Sequence, residues 1–163
     1  MPPPAPPPPA PAPAPKKWAV ALGPWHGYNL KENDKPHDTK SQLVGINLST
    51  DYMATPNVPI SLDLVGYNTI GTSQSDGYGG RATLGAAYQF NPTGSWHPHI
   101  GGHGGYIAGK GAEDGPLVGP EIGMKFDVSD TVYLYTKIGY DYLLRNEWDK
   151  GIITGGLGAG LRF

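Results

Sequence analysis

The chain has 163 residues, a formal net charge of −2 and no cysteine. This length is enough for one domain with its own core, and the absence of cysteine excludes disulfides, thiolate metal ligands and a cysteine nucleophile. Charged residues make up only 16% of the sequence and form no basic patch, so the composition argues against binding to nucleic acid.

The first segment, residues 1–15, reads MPPPAPPPPAPAPAP and is dominated by proline. Because proline lacks a backbone N–H and fixes φ, this segment is predicted to be a disordered leader, and residues 16–163 are predicted to form the folded domain. The chain has no long apolar run of the kind that spans a bilayer, so no transmembrane helix is expected. Met1 leads directly into proline, so no signal peptide is expected either.

Apolar and polar residues alternate along the rest of the chain, which predicts β-strands and no helix. The connections alternate between long polar segments, such as 26–40, and short turns, such as the two residues Ser129 and Asp130. Strands joined in this way predict an all-β fold, an eight-stranded antiparallel up-and-down barrel. The predicted strands lie near residues 17–25, 42–52, 58–70, 78–90, 98–109, 117–128, 131–144 and 152–163.

Alternation alone does not decide which face of the barrel looks outward, because a soluble lipocalin-like barrel shows the same pattern. The polar face of the fourth strand carries small residues, Gly79, Thr83, Gly85 and Ala87, which fit the confined lumen of a small barrel. Aromatic residues collect at strand ends on the apolar face, where a transmembrane barrel has girdles at the bilayer surface. The predicted girdle residues are Trp18, Tyr52, Tyr78, Tyr88, Phe90, Phe126, Tyr140, Tyr142 and Phe163.

The chain ends in GAGLRF, a strand pattern that continues to the last residue. This ending resembles the terminal signal of bacterial outer-membrane β-barrels, with Gly158, Leu161 and Phe163 at the matching positions. Together with eight strands, short turns and four long loops, it makes residues 16–163 resemble the small outer-membrane barrels of the OmpA/OmpX type.

The resemblance implies a set of surroundings and partners for the chain. Its ending would be read by the barrel-assembly machinery, and the barrel would contact outer-membrane lipids and lipopolysaccharide. The leader would lie in the periplasm and the four long loops outside the cell, each facing possible partners there. The family includes anchors, adhesins, narrow pores and a few lipid-modifying enzymes, so the resemblance does not choose among these functions.

Strand parity places charged residues on the predicted inner face. An eight-stranded barrel is only wide enough for side chains to fill, and a buried charge without a partner is costly, so these charges are expected to pair in a network. Glu121 and Lys137 are expected to be diagonal neighbours across the Ser129–Asp130 turn. A packed polar core is preferred over a narrow pore. The predicted network comprises Asp51, Asp63, Arg81, Glu121, Lys125, Lys137, Asp141 and Arg162, interlocked with Tyr67, Gln89, Tyr133 and Tyr135.

Three histidines, His97, His99 and His103, alternate onto one face of the fifth strand. Residues at i and i+4 of a strand lie roughly 13 Å apart, so one metal ion cannot bridge His99 and His103 directly. His97 and His99 are closer but have no evident carboxylate in the sequence beside them. No metal or cofactor is therefore predicted.

Two of the predicted loops carry residues that could form an enzyme site. The first holds His26 and His37, and the second holds Ser73, Ser75 and Asp76, a set loosely similar to that of lipid A palmitoyltransferases. That family's leading amphipathic helix is replaced here by the proline segment, and no His-x-Ser of lipid A deacylases occurs. The sequence therefore favours a non-enzymatic structural or surface-interaction role, such as adhesion or anchoring, with a lipid A modifying enzyme or a narrow small-solute pore as alternatives.

Overall fold

A computed structural model describes residues 16–30, 42–70, 77–109, 114–144 and 151–163. The predicted leader and the central parts of the long loops lie outside these ranges. No helix among the described residues is long and apolar enough to cross a membrane.

The described residues form eight antiparallel strands, and each strand pairs with the next in the chain. The last strand pairs with the first, from Ala19 opposite Arg162 to Asn29 opposite Ile152, which closes the sheet. The predicted eight-stranded up-and-down barrel is therefore confirmed. The strands are β1 (Trp18–Asn29), β2 (Gln42–Thr55), β3 (Val58–Ile70), β4 (Tyr78–Gln89), β5 (Trp96–Gly109), β6 (Gly115–Asp127), β7 (Val132–Leu143) and β8 (Gly151–Arg162).

The connections between strands lie at the two ends of the barrel, and those at one end are shorter on average than those at the other. We call the first the turn end; it carries the connections after β2, β4 and β6 together with Lys16 and Phe163. We call the second the loop end; it carries the connections after β1, β3, β5 and β7. The strand β1 extends beyond its predicted end at residue 25, because Gly27 and Asn29 keep the inward positions of the alternation. His26, predicted in the first loop, therefore lies in β1 opposite Val44.

The predicted two-residue turn between β6 and β7 is wrong. Asp127 pairs with Tyr133, and the Val128 N–H donates a 2.9 Å hydrogen bond to the Val132 carbonyl, so residues 129–131 form the turn. Residues directly opposite each other in an antiparallel pair share a face of the sheet. With a two-residue turn, each even-numbered residue of β6 would lie opposite an odd-numbered residue of β7. Outward-facing residues would then lie opposite lumen-facing ones. The turn therefore needs an odd number of residues.

The outer surface of the barrel is an apolar belt. Leu22, Ile46, Leu84 and Ile122 are each more than half exposed on it. A contiguous apolar surface of this size is not stable against water. Strands of twelve to fourteen residues, tilted by about 40°, rise roughly 30 Å along the barrel axis, which matches the hydrocarbon core of a bilayer.

The glycines of β8 make room for tyrosines of β7. Gly158 and Gly160 face inward, and a Cβ atom at these positions would overlap the rings of Tyr135 and Tyr133 respectively. The alternation of glycine with apolar residues near the chain end therefore serves both faces of β8. Leucine faces outward, and the space left by glycine is filled by aromatic rings inside the lumen.

Candidate functional site

The predicted girdle residues in the described strands lie near the two ends of the barrel, and many of them pair ring against ring. Trp96 extends the set, although the sequence analysis did not include it. Most pairs are at the turn end, and the tyrosine pair is at the loop end. The ring pairs and centroid distances are Trp18–Tyr52 (4.9 Å), Tyr88–Phe90 (5.0 Å), Trp96–Phe126 (4.9 Å) and Tyr140–Tyr142 (4.4 Å).

The chain terminus closes the barrel at the turn end. The Phe163 N–H donates to the Trp18 carbonyl at 2.9 Å, and the Trp18 N–H donates to the Phe163 carbonyl at 3.1 Å. Leu161 and Phe163 face outward and are more than half exposed, whereas Gly158 faces the lumen. The three residues of the predicted assembly signal therefore do not contact one another as a site. All three lie in or directly after β8, the strand that pairs with β1.

Arg81 and Asp141 form a buried ion pair in the lumen, on the loop-end side of the midpoints of β4 and β7. The Arg81 guanidinium donates to both Asp141 oxygens, Nε to Oδ2 at 2.7 Å and Nη2 to Oδ1 at 2.9 Å, and Asp141 is fully buried. His103 Nε2 lies 2.6 Å from Asp141 Oδ1, and His103 Nδ1 lies 3.5 Å from a Glu121 oxygen. His103 thus joins the predicted charge network, a role that the sequence analysis did not assign to it.

A second ion pair spans the lumen between β7 and β3. Lys137 Nζ donates to Asp63 Oδ1 at 2.7 Å, and Asn47 Nδ2 donates to the same oxygen at 3.1 Å. The register sets Glu121 opposite Gly139, diagonal to Lys137. The ion pair of Lys137, however, is made with Asp63, and the closest ionic partner of Glu121 is His103.

Tyr133 packs between cationic groups in the turn-end half of the lumen. Lys125 Nζ donates to Asp51 at 2.5 Å and lies 5.6 Å from the centre of the Tyr133 ring. The Arg162 guanidinium lies 4.8 Å from the same ring. These distances allow cation–π attraction in addition to the ion pairs.

Asp127 joins three elements at the rim of the turn end. It lies 2.6 Å from Arg162 Nη1 and 2.8 Å from His97 Nε2, and the other ring nitrogen of His97 lies 2.9 Å from the Asn91 carbonyl. Asp127 is therefore the carboxylate beside His97 that was not evident in the sequence. The carboxylate comes from the neighbouring strand β6, which residue spacing along one strand cannot reveal. Among the described residues, Asp127 adds a fifth carboxylate to the four predicted on the inner face.

His99 has no ionic partner as close as those of its neighbours on β5, and its Nδ1 atom is buried without a hydrogen bond to any described residue. Among the described residues, no group of three or more histidine, aspartate or glutamate side chains is arranged to hold a metal ion. Of the enzyme candidates, His37, Ser73, Ser75 and Asp76 lie outside the described residues. His26 is exposed on the outer face of β1.

An apolar layer lies in the loop-end half of the lumen, beside the buried Arg81–Asp141 pair, and the sequence analysis missed it. Leu43, Ile107 and Ile152 in this layer are fully buried, and the rings of Trp25 and Tyr67 lie 5.9 Å apart. We call this set the loop-end layer; seven of the eight strands contribute to it. Its members are Trp25, Leu43, Val65, Tyr67, Ile107, Leu117, Leu143 and Ile152.

A sequence signal for the loop-end layer does exist. Near the loop end, several strands carry two consecutive apolar residues, so one faces outward and the other faces the lumen. Strict alternation is interrupted at these positions, and an interruption shared by neighbouring strands at one level predicts an apolar layer inside the barrel. The doublets are Leu43–Val44, Leu64–Val65, Tyr106–Ile107, Leu117–Val118, Leu143–Leu144 and Ile152–Ile153.

Comparison of the sequence with models of protein families and with curated proteins gives no match. Comparison of the structure gives clear similarities. Neisserial surface protein A superposes with a TM-score of 0.66 at 17% identity, over 89% of this chain and 95% of that one. OprG of Pseudomonas aeruginosa gives 0.66 at 12% identity, over 91% and 96%. The attachment invasion locus protein Ail of Yersinia pestis gives 0.59 at 17% identity, over 91% and 99%.

These similarities agree with the features already described. The strand number, the closed antiparallel order, the apolar belt and the paired aromatic residues at both ends are all features of transmembrane barrels. The coverage above nine-tenths of each similar chain shows that the whole barrel is compared and not a fragment. The chain has the fold of the small eight-stranded outer-membrane β-barrels, as the sequence resemblance predicted.

Proposed function

We propose that the protein is an integral outer-membrane protein whose barrel is a closed scaffold and whose loop end carries a surface-interaction function, such as adhesion or anchoring. The observation that carries this proposal is the loop-end layer. Leu43, Ile107 and Ile152 have no exposed surface, and this close packing supports a lumen that is closed to ions at that level. A barrel that has no path for ions acts through the surfaces that it exposes.

The orientation in the membrane is part of the proposal. Both ends of the described chain, Lys16 and Phe163, lie at the turn end, which we assign to the periplasm together with the leader. The longer connections then face the outside of the cell, and lipopolysaccharide surrounds the belt on that side. The surface-interaction role is supported by Ail, a barrel of similar fold that has been solved in complex with the heparin analogue sucrose octasulfate.

The proposal is tested first by conductance. In planar bilayers the refolded wild-type protein should show no stable open level. The double variant Leu43→Ala/Ile107→Ala, which removes bulk from the loop-end layer, should show one. Leu48→Ala/Leu62→Ala, on the outer face of the barrel, serves as the matched control and should stay closed. A stable conducting level in the wild-type protein would support the pore alternative and contradict the scaffold.

The surface function is tested with intact cells. Each of the four long loops is replaced in turn by a glycine–serine segment of equal length, and adherence of the cells to host-type surfaces and polyanions is measured. The amount of heat-modifiable barrel in outer membranes controls for assembly. Adherence should fall for at least one loop replacement. Unchanged adherence with all four loops replaced would contradict the proposal, and lipid A that is modified only when the protein is present would support the enzyme alternative.

The terminal strand carries a related proposal about assembly. An unpaired last strand exposes backbone groups that lipid cannot satisfy, so it must be delivered to β1 before the barrel is stable in a membrane. We propose that the assembly machinery recognises Phe163 and Leu161 before this closure. Deletion of Phe163 should then lower barrel formation in cells much more than refolding in micelles. Equal losses in cells and in micelles would mean that Phe163 acts only through its contacts with Trp18.

A further inference from the structure

The outer face of the barrel is not uniformly covered by large side chains. In the middle of β5, Gly102 and Gly104 face outward, and Ala86 on β4 and Pro120 on β6 lie directly opposite Gly102. These residues form the floor of an open groove of about 690 Å³ on the outer surface. We call it the β5 groove.

Larger side chains bound the β5 groove. Leu84 and Val118 lie directly opposite Gly104, on β4 and β6 respectively. Ile60, near the turn end of β3, and Tyr142, near the loop end of β7, also line the groove. The groove therefore crosses the barrel wall obliquely, from the turn-end part of β3 to the loop-end part of β7.

The dimensions of the β5 groove match one lipid acyl chain. From β3 to β7 the groove crosses four strand spacings. Spacings of about 4.8 Å between strands tilted by about 40° give a length of roughly 19 Å and a rise of roughly 12 Å along the barrel axis. Each leaflet supplies roughly 15 Å of a hydrocarbon core that is about 30 Å thick. The groove is therefore long enough for one chain and rises through about one leaflet.

The position of the β5 groove identifies its occupant as lipid. The groove is continuous with the apolar belt, whose surroundings are acyl chains. Water has few hydrogen-bond partners in an apolar groove, and an empty groove would forfeit the contacts of its lining atoms. A second copy that met this face about a two-fold axis would set groove against groove and enlarge the void. A flexible chain fills the groove without these costs.

A pair of tyrosines at the loop end of the β5 groove provides a place for the headgroup of such a lipid. The rings of Tyr140 and Tyr142 meet edge to face with centroids 4.4 Å apart, and Tyr142 is 44% exposed. Tyrosines at this level of a barrel lie at the boundary between hydrocarbon and water, where their hydroxyl groups can contact headgroups. A chain in the groove would therefore enter from the leaflet on the loop-end side.

We propose that the β5 groove binds one acyl chain of lipopolysaccharide. The lipid A part of this molecule supplies the chain, which lies across Gly102 and Gly104, and its sugar–phosphate headgroup lies beside Tyr142. Chains over large outward residues such as Leu22 and Ile46 exchange freely by comparison. The identity of the lipid rests on the orientation given under the proposed function, whereas the groove rests on the fold alone.

Solid-state NMR on the deuterated full chain tests the proposal. The chain is reconstituted in vesicles of deuterated dimyristoyl phosphatidylcholine that contain protonated lipid A, and transfer from lipid A chain protons to backbone amides is measured. Motion averages the dipolar coupling, so transfer is efficient only where a chain is held. It should build up several times faster at Gly102 and Gly104 than at Gly155, an outward glycine of β8. Equal rates at the three glycines would overturn the proposal.

A matched pair of glycine variants locates the chain. A Cβ atom at Gly102 would lie 3.4 Å from the Gly119 carbonyl oxygen, an ordinary contact, so Gly102→Leu fits the barrel and fills the groove. Gly155→Leu adds the same bulk on the other side, where an added Cβ would meet nothing within 4 Å. Transfer to Gly104 should fall to the wild-type level of Gly155 in the first variant and stay unchanged in the second. Rapid transfer that persists in a folded Gly102→Leu barrel would contradict the proposal.

A sample that mixes two differently labelled populations of the chain tests for a second copy. Contacts between copies at Gly102 or Gly104 would assign the β5 groove to self-association and overturn the lipid site. These measurements use neither conductance nor cell adherence. The lipid site can therefore fail while the closed scaffold stands, and the scaffold can fail while the lipid site stands.

Discussion

The loop-end layer and the turn-end half of the lumen are filled with opposite chemistry, although the same strands supply both. At the loop end, Leu43, Ile107 and Ile152 have no exposed surface. In the turn-end half, the side chains of Lys125, Glu121 and Lys137 keep 13–16% of their surface exposed. Apolar side chains can pack to full contact, whereas charged groups keep space for partners and water because their complete desolvation is costly.

The difference separates two tasks within one small lumen. The loop-end layer excludes water and so closes the barrel, while the ion pairs fix how the strands face one another across the lumen. Arg81 with Asp141 links β4 to β7, and Lys137 with Asp63 links β7 to β3. Breaking an ion pair should therefore lower stability without opening the barrel, and removing bulk from the layer should open it.

The largest effect on stability is expected from Arg81→Leu. This change leaves the fully buried Asp141 without its guanidinium partner, and breaking a buried pair from one side costs about 3–5 kcal/mol. The free energy of unfolding is measured by urea denaturation of the barrel in micelles. The variant should stay closed to ions in planar bilayers.

The control for this prediction is the double variant Arg81→Leu/Asp141→Leu. It removes both charges and should lose less stability than Arg81→Leu alone, because no unpaired charge stays buried. A double variant that is as unstable as the sum of the two single variants would show that Arg81 and Asp141 act independently. A conducting Arg81→Leu variant would contradict the separation of the two tasks.

Leu43→Ala is expected to have the next largest effect. Leu43 is fully buried in the loop-end layer, and truncation of a buried leucine to alanine costs about 2–4 kcal/mol because a cavity is left behind. Leu48→Ala, on the same strand but on the outer face, should cost less, since a surrounding acyl chain fills the space. Urea denaturation of both variants makes the comparison. Equal losses would mean that the layer is not close-packed.

Most of the barrel could be predicted from sequence, because strand parity is a local property. Asp63, Arg81 and Lys137 lie inside for the same reason that Leu22 and Ile122 lie outside: alternate residues of a strand face opposite sides. The face to which each residue points and the number of strands therefore followed from the alternation of apolar and polar residues. The ends of β1 and the β6–β7 turn did not, because they depend on how two strands pair and not on one strand alone.

Partners across the lumen could not be predicted in the same way. His97 meets Asp127 and His103 meets Asp141 through strand stagger and side-chain length, which a single sequence does not specify. The loop-end layer was visible in doublets such as Leu143–Leu144, but a doublet in one strand does not show that other strands repeat it at the same level. Barrel closure provides that alignment, and closure is a property of the whole sheet.

A smaller effect is expected from Tyr135→Phe. The Tyr135 hydroxyl is buried beside the Asn47 side chain, whose Oδ1 atom is buried as well. If the hydroxyl donates to Asn47, loss of this hydrogen bond should cost about 1 kcal/mol. If the hydroxyl is unsatisfied, its removal should stabilise the barrel. The sign of the change in urea-unfolding free energy therefore shows whether the hydrogen bond between Tyr135 and Asn47 forms.

The smallest effect is expected at the rim of the turn end, from Asp127→Asn. Asp127 and Arg162 keep about a quarter of their side-chain surface exposed (24% and 22%), and ion pairs open to solvent contribute about 1 kcal/mol or less. Salt screens such pairs, so the destabilisation by Asp127→Asn should shrink when unfolding is measured at high ionic strength. Lys137→Met is the matched comparison, because it leaves Asp63, only 5% exposed, without its ammonium partner deeper in the lumen. Its cost should be larger and should persist at high salt, since a buried charge is screened much less. Equal salt dependence of the two variants would mean that salt ions reach Asp63 as easily as they reach the rim. The boundary between the solvated rim and the protected interior would then lie closer to the loop-end layer.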